Sequence, residues 1–150
     1  MDLTIGLAGP SDLDALLELL AGQFRELAIP LSSEKLRAGV EGPLRDPRRG
    51  SFLLTRLDSR PVAVAYLSFQ WSLEHGGQSA WLEELYVLPE HRGSGIGRQL
   101  LLEACAHAAA RGCAAMDLEV EEDHSRAARL YEREGFRPHR RARWVRVLGG

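Results

Sequence analysis

A glycine-rich run in the second half of the chain constrains its fold more than any other feature. Residues 92–97 read Arg-Gly-Ser-Gly-Ile-Gly, after a strand-like stretch at 81–87 and before a helix-like stretch at 98–111. The glycines leave backbone amides uncovered by side chains. The first amides of a helix also lack internal partners and lie at the positive end of the helix dipole. The sequence therefore predicts a phosphate or pyrophosphate site at a strand-to-helix turn.

Several known kinds of glycine-rich turn could explain this run of glycines. The phosphate loop of NTPases requires a lysine followed by Ser or Thr, and the only lysine is Lys35. The dinucleotide fingerprint would place its third glycine one residue after Gly97. A turn without any ligand would also explain the glycines. The remaining pattern is Arg-x-x-Gly-x-Gly after a strand that ends in Val-x-Pro, and residues 87–97 match it in full.

This pattern resembles the acetyl-CoA pyrophosphate loop of the GNAT superfamily of N-acetyltransferases, and its motifs are nearest to those of polyamine and other small-amine members. The resemblance covers nearly the whole chain and is strongest over 82–136. It implies an N-acetyltransferase with acetyl-CoA as cosubstrate, no metal, and direct transfer to the primary amine of a small molecule in a ternary complex. A non-catalytic CoA-binding regulator on the same fold is an alternative, as is an acetyltransferase for protein N-termini or lysines.

Length and composition limit the other functional classes. A chain of 150 residues with an ordinary balance of apolar and charged residues predicts one domain, 1–150. The net charge of -2 argues against nucleic acid as the main partner. We find neither a membrane-spanning apolar stretch nor a secretory signal, so we expect no membrane partner and a cytoplasmic location. The resemblance also makes a homodimer one form to expect.

The order of predicted elements is β-α-α-β-β-β-α-β-α-β, which predicts a mixed α/β fold. Its sheet would be mostly antiparallel, with six to seven strands and helices on both faces. The predicted strands are 2–7, 51–57, 62–70, 79–88, 113–120 and 143–148. The predicted helices start at a Ser11–Asp14 capping box, run from Ser32-Ser33 through Val40 to a break at Gly42-Pro43, and cover 93–111 and 125–134.

The resemblance also assigns the cofactor site. Amides from Gly93 to Arg98 would hold the pyrophosphate, and the main chain of the preceding strand would bind the pantetheine arm and the thioester oxygen. His124 stands where many relatives carry an asparagine that contacts this arm. The implied cofactor-binding residues are Leu85, Tyr86, Val87, Arg92, Gly93, Ser94, Gly95, Ile96, Gly97, Arg98 and His124.

Two adjacent acids are candidates for the general base, Glu83 and Glu84. Neighbouring residues on a strand point to opposite faces, so the two are alternatives. A carboxylate beside a cleft can have a raised pKa and accept a proton from an ammonium group. In polyamine enzymes of the superfamily the base occupies the place of Glu83, three residues before Tyr86. An exposed surface glutamate is the ordinary alternative for each.

One tyrosine is the candidate general acid. Residues 127–136 match the Ala-x-x-[Leu/Phe]-Tyr-x-x-x-Gly-Phe segment of the superfamily, with Tyr131 at the tyrosine position. The resemblance implies that Tyr131 protonates the departing thiolate, which suits a hydroxyl with a pKa of about 10. A packed aromatic side chain is the alternative interpretation.

Overall fold

A five-stranded sheet organises the larger part of this protein. The computed structural model describes residues 1–121 and 125–149. They form two compact units, Met1–Glu119 and Val120–Gly150. The first unit contains β1 (Leu3–Leu7), α1 (Leu13–Glu26), α2 (Ser33–Arg45), β2 (Gly50–Leu57), β3 (Arg60–Ser72), β4 (Gly77–Val87), α3 (Ile96–Ala110) and β5 (Met116–Leu118). The second unit contains α4 (Ser125–Arg133).

The strands follow one another in the sheet in chain order, from β1 to β5. The first three pairs are antiparallel and β4 pairs with β5 in parallel, which confirms the predicted mixed α/β class. The described sheet has five strands and not six or seven. Residues 143–148, predicted to be the last strand, are exposed and lie outside the strands.

Alternation along the strands gives the sheet two packed faces. Phe52 and Tyr86 belong to the face that packs against α1 and α2. Their neighbours point the other way: the Ser51 hydroxyl lies 2.9 Å from Nε2 of His107 on α3, and Val87 lies against Gly97. The face toward α1 and α2 holds Leu16, Leu19, Leu20, Val40, Phe52, Leu54, Val64 and Tyr86. The glycine-rich turn and the candidate bases thus belong to, or directly follow, a strand with packed residues on both faces.

Two predicted helix boundaries were wrong. The Ser11–Asp14 capping box does not form; instead, the Asp12 carboxylate accepts the Gly9 N–H at 2.9 Å and pairs with Arg56 at 2.6 Å. Helix α2 does not break at Gly42-Pro43 but continues to Arg45, with Pro43 buried inside it. The free energy gained by packing the Pro43 face of α2 against the sheet exceeds the cost of the helix hydrogen bond that the proline removes. Within the described residues, no helix has both the length and the apolar character that crossing a membrane requires.

Candidate active site

Strands β4 and β5, the last two strands of the described sheet, pair over only a short part of β4. In the described structure they pair only where Ala80–Leu82 meets Met116–Leu118, whereas β4 itself continues to Val87. The backbone groups of β4 that follow Leu82 and point toward β5 therefore lie outside this paired segment. An opening of this kind is what the predicted role of the Leu85, Tyr86 and Val87 main chain requires, because an extended ligand arm needs backbone groups that a neighbouring strand has not used.

A β-bulge lies at the point of separation. Tyr66 of β3 pairs with Glu84, but the next residue of β3, Leu67, pairs with Leu82. Glu83 is therefore the extra residue of the bulge, without a pairing partner on β3. A bulge interrupts the regular alternation of side chains. The argument that exactly one of Glu83 and Glu84 can face the reaction centre consequently does not hold here.

The environments of the two glutamates differ. Glu83 is exposed, whereas Glu84 is partly buried. Oε2 of Glu84 is inaccessible to solvent and has no hydrogen-bond partner among the described residues. Burial, and secondly the charge of Glu83, raise the pKa of Glu84 to about 7. Near neutral pH, Glu84 is therefore poised to accept and release a proton.

The glycine turn has the backbone geometry of an anion cradle. Gly93 and Gly95 have φ values of 81° and 87°, which disfavour other residues. The first backbone bond of α3 runs from the Gln99 N–H to the Gly95 carbonyl, so the preceding amides lie at the open amino end of the helix. A Cβ at Gly95 would meet nothing within 4 Å, and one at Gly97 would meet only Val87 Cγ2 at 3.6 Å. This exposed row of amides fits a diphosphate.

Arg92 braces the turn instead of reaching into it. Its guanidinium donates to both carboxylate oxygens of Glu26 at 2.7 Å, and its Nε donates to the Val87 carbonyl at 2.9 Å. It also lies 5.5 Å from the Tyr86 ring centroid. The Arg92 guanidinium holds the pKa of Glu26 below its ordinary value. Arg92 therefore ties the end of β4 to the last turn of α1, while its predicted contact with the cofactor stays a prediction. Arg98 is exposed at the start of α3.

Replacing Glu26 with Gln should loosen this brace. With acetyl-CoA as the cosubstrate that the family resemblance implies, we expect its KM to rise about threefold to tenfold with little change in kcat, because a bidentate ion pair contributes about 1 kcal/mol to holding the turn. Glu41→Gln is the matched control, since Glu41 also pairs with arginines, Arg37 and Arg45, but on the surface of α2. Steady-state kinetics in which the two variants behave alike would contradict a bracing role for Glu26.

The predicted acid lies in the second unit. Tyr131 is on α4, and its ring meets the Phe136 ring edge-on at 5.8 Å between centroids. Gly135, with φ 94°, ends this segment, and the Phe136 N–H donates to the Tyr131 carbonyl at 3.0 Å. The ring of Tyr131 thus packs on Phe136, while the acid role of Tyr131 stays a prediction. His124 lies outside the described residues.

Sequence reasoning missed two contributors to the first unit's site. Glu26 lies at the end of an amphipathic helix and belongs to no recognisable sequence motif. Its pairing with Arg92 becomes visible only in the folded structure. Gly22 of α1 also has a packing role, because a Cβ there would lie 3.3 Å from the Tyr86 hydroxyl. A glycine in the middle of a helix was the one feature of the sequence that could have indicated this close approach of α1 to Tyr86.

Known proteins share both this sequence pattern and this fold. The acetyltransferase (GNAT) family model matches residues 13–136. A glucosamine 6-phosphate N-acetyltransferase from Trypanosoma brucei brucei is 32% identical over 147 residues, which cover 94% of this chain and 93% of that protein. A mycothiol acetyltransferase from Thermobispora bispora is 37% identical over 109 residues, and the match spans 69% of this chain but 35% of that protein.

Among solved structures, an aminoglycoside N-acetyltransferase in complex with CoA has a TM-score of 0.83 at 18% identity, over 99% of this chain and 96% of that one. That likeness concerns the fold. The chain therefore belongs to the acetyltransferase (GNAT) family. It is an N-acetyltransferase, and the predicted family resemblance is confirmed.

Proposed function

We propose that this enzyme moves the acetyl group of acetyl-CoA directly to the primary amine of a small molecule, with Glu84 as the general base. One observation carries the choice of base: Glu84 follows the bulge of the open strand with a buried carboxylate oxygen that has no hydrogen-bond partner in the described part of the chain, and its pKa is about 7. Glu83 stays exposed. A base with this pKa can take a proton from an ammonium group at neutral pH, directly or through water.

Other residues of the first unit would hold acetyl-CoA, the acetyl donor. Amides between Gly93 and Arg98 would bind the diphosphate, and the main chain of Leu85, Tyr86 and Val87 would bind the pantetheine arm and polarise the thioester carbonyl. Bound acetyl-CoA supplies the reactive acyl group. The protein's task at the amine is to remove one proton, which Glu84 retains until solvent takes it.

The acceptor class follows from charge and from the relatives. Two neighbouring carboxylates, Glu83 and Glu84, favour the approach of a cationic amine. The trypanosome relative is named for glucosamine 6-phosphate, a small molecule with a primary amine. These observations favour a small amine over a protein N-terminus or lysine as the acceptor.

The burial of the two cysteines favours direct transfer over a route through an acetylated cysteine. Cys105 and Cys113 are both partly buried, and neither belongs to a disulfide in the described structure. Burial raises the pKa of Cys113, so it provides little of the thiolate that an acyl-enzyme route needs. Initial rates measured against both substrates should give intersecting lines. Parallel lines, or an enzyme mass increased by one acetyl group, would exclude the direct route.

A thiol-release assay with purified protein, acetyl-CoA and a panel of amines tests the whole proposal. The panel should contain amino sugars and their phosphates, polyamines, aminoglycosides and a lysine-containing peptide. We expect CoA release with at least one small primary amine and the acetylated amine by mass spectrometry. CoA binding without release on any amine would instead support the regulator, and release with the peptide alone would support a protein acetyltransferase.

The acid role of Tyr131 has its own test. Tyr131→Phe should lower kcat roughly 10- to 1,000-fold, because the departing thiolate then lacks its proton donor. Phe136→Leu is the matched control: it disturbs the ring that packs on Tyr131 but keeps the hydroxyl. Comparable losses in the two variants would mean that Tyr131 acts through packing and not through proton transfer.

A further inference from the structure

A side-chain hydrogen bond joins the turn between β3 and β4 to β5. Nε2 of His75, which lies in this turn, is 3.0 Å from Oδ2 of Asp117 in the middle of β5. An ionised carboxylate can only accept, so Nε2 carries the hydrogen and donates it. The His75 backbone N–H donates to the Ser72 hydroxyl at 3.0 Å, which fixes the turn that presents the ring. The proposed roles of the glycine turn and of Glu84 make no use of the His75–Asp117 pair.

Strand β5 is held to the rest of the sheet by few backbone bonds. It has three residues and is the last strand in the order, so among residues 1–121 and 125–149 it pairs with β4 alone. Just before it, the Ala80 N–H donates to the Ala115 carbonyl at 3.0 Å, and the Ala114 N–H donates to the Gln78 carbonyl at 2.8 Å. A short strand at the edge of a sheet opens at a low cost in free energy. A side-chain bond to its middle residue therefore helps to decide where β5 lies.

The His75–Asp117 pair acts next to the point where β4 and β5 separate. Asp117 is the register partner of Trp81, and the last described pairing, Leu82 with Leu118, follows one residue later. Strand β4 then continues to Val87. The distance between two strands past their last pair depends on how firmly the preceding pairs are held. By fixing Asp117, His75 therefore fixes the start of the gap between β4 and β5 past Leu82.

We infer that His75 is a positioning residue for the pantetheine arm, because through Asp117 it holds β5 in place where this gap begins. This inference rests on the proposed function, in which the main chain of β4 past Leu82 binds the arm. The diphosphate would be held separately, by amides at the amino end of α3. Loss of the His75–Asp117 pair should therefore weaken the hold on the arm and leave the hold on the diphosphate unchanged.

Calorimetry with two ligands tests this separation. One ligand is CoA, and the other is its phosphorylated ADP fragment, which lacks the pantetheine arm. The unmodified protein should bind CoA more tightly, and the ratio of the two affinities measures the contribution of the arm. We expect His75→Ala to lower this ratio about threefold to tenfold, the usual range for loss of one hydrogen bond. Its affinity for the fragment should stay within about twofold of that of the unmodified protein, because the diphosphate is held elsewhere.

Further variants and kinetics distinguish positioning from chemistry. His75→Gln keeps a side-chain N–H donor and should restore most of the lost ratio. Asp117→Ser breaks the bond from the β5 side, so it should match His75→Ala, and the double variant should be no worse than either single one. In steady state, the KM for acetyl-CoA should rise by the same factor while kcat stays within about twofold. A fall in kcat larger than the rise in KM would overturn the positioning role.

His107→Ala is the matched control. His107 also makes a partly buried side-chain bond, to the Ser51 hydroxyl at 2.9 Å, but it joins α3 to β2, so the ratio of affinities should not change. If His75→Ala does not fold, Asp117→Ser carries the same test. An unchanged ratio in the folded variants overturns this inference. Equal affinities of the unmodified protein for CoA and its fragment overturn instead the proposed site of the arm.

Discussion

Replacing Glu84 with Gln should lower kcat/KM roughly 100- to 10,000-fold at pH 8, the usual range for loss of a general base. The acidic limb that reflects the Glu84 pKa of about 7 should disappear with it. Steady-state rates between pH 5 and 9 measure both effects. Glu83→Gln is the matched control. Removing its charge lowers the pKa of Glu84, so the limb should move modestly to lower pH while activity remains. The opposite pattern would assign the base to Glu83.

The same Glu84 substitution should make the folded protein more stable above neutral pH. The folded-state pKa of about 7 lies above the ordinary value of 4.5, so the unfolded chain loses this proton first. As pH rises from 4.5 through about 7, ionisation therefore destabilises the folded state. A glutamine does not ionise, and the free energy of unfolding should rise on the order of 1 kcal/mol at pH 8. A loss of activity combined with a loss of stability would point to misfolding instead.

Replacing Gly97 with Asp should weaken CoA binding while stabilising the fold. Gly97 lies in the first turn of α3, where a carboxylate interacts favourably with the helix dipole, by about 0.5–1 kcal/mol. The same charge repels a diphosphate held on the neighbouring amides, which should weaken binding about 10- to 100-fold. Calorimetry with CoA and thermal unfolding of the free protein measure these opposite effects.

Gly97→Asn separates charge from bulk at this position. Asparagine has nearly the same volume as aspartate, and its Cβ meets only Val87 at an ordinary contact distance of 3.6 Å. The Asp variant should bind CoA more weakly than the Asn variant, and the difference should shrink at high salt. Equal affinities of the two variants would place the diphosphate away from the amino end of α3.

The sequence was most informative where backbone chemistry fixes the structure. The glycine turn was located correctly because positive φ at Gly93 and Gly95 and the start of α3 at Ile96 are local properties. Pro43 misled for the opposite reason, since burial against the sheet keeps α2 helical beyond a residue that usually ends helices. Residues 143–148 were predicted to form the last strand, but a strand also needs a neighbouring strand to pair with, which the residues of one segment do not specify.

The sequence identified Glu83 and Glu84 as candidate bases but could not decide between them. A bulge depends on how β3 and β4 pair, and nothing in the residues of β4 alone encodes the mismatch at Tyr66 and Leu67. The brace between Arg92 and Glu26 joins residues 66 positions apart and was hidden for the same reason. The roles of Tyr131 and His124 came from the family resemblance and stay predictions.

The early parting of β4 and β5 has a consequence for the exchange of backbone hydrogens with solvent. Among residues 1–121 and 125–149, β4 past Leu82 has a ladder on its β3 side only, so the amides that point toward β5 should exchange quickly in deuterated buffer. A ligand arm laid along that edge would act as a temporary sixth strand. Deuterium uptake between residues 83 and 87 should then slow in alternate positions, leaving a footprint of the ligand with a two-residue period.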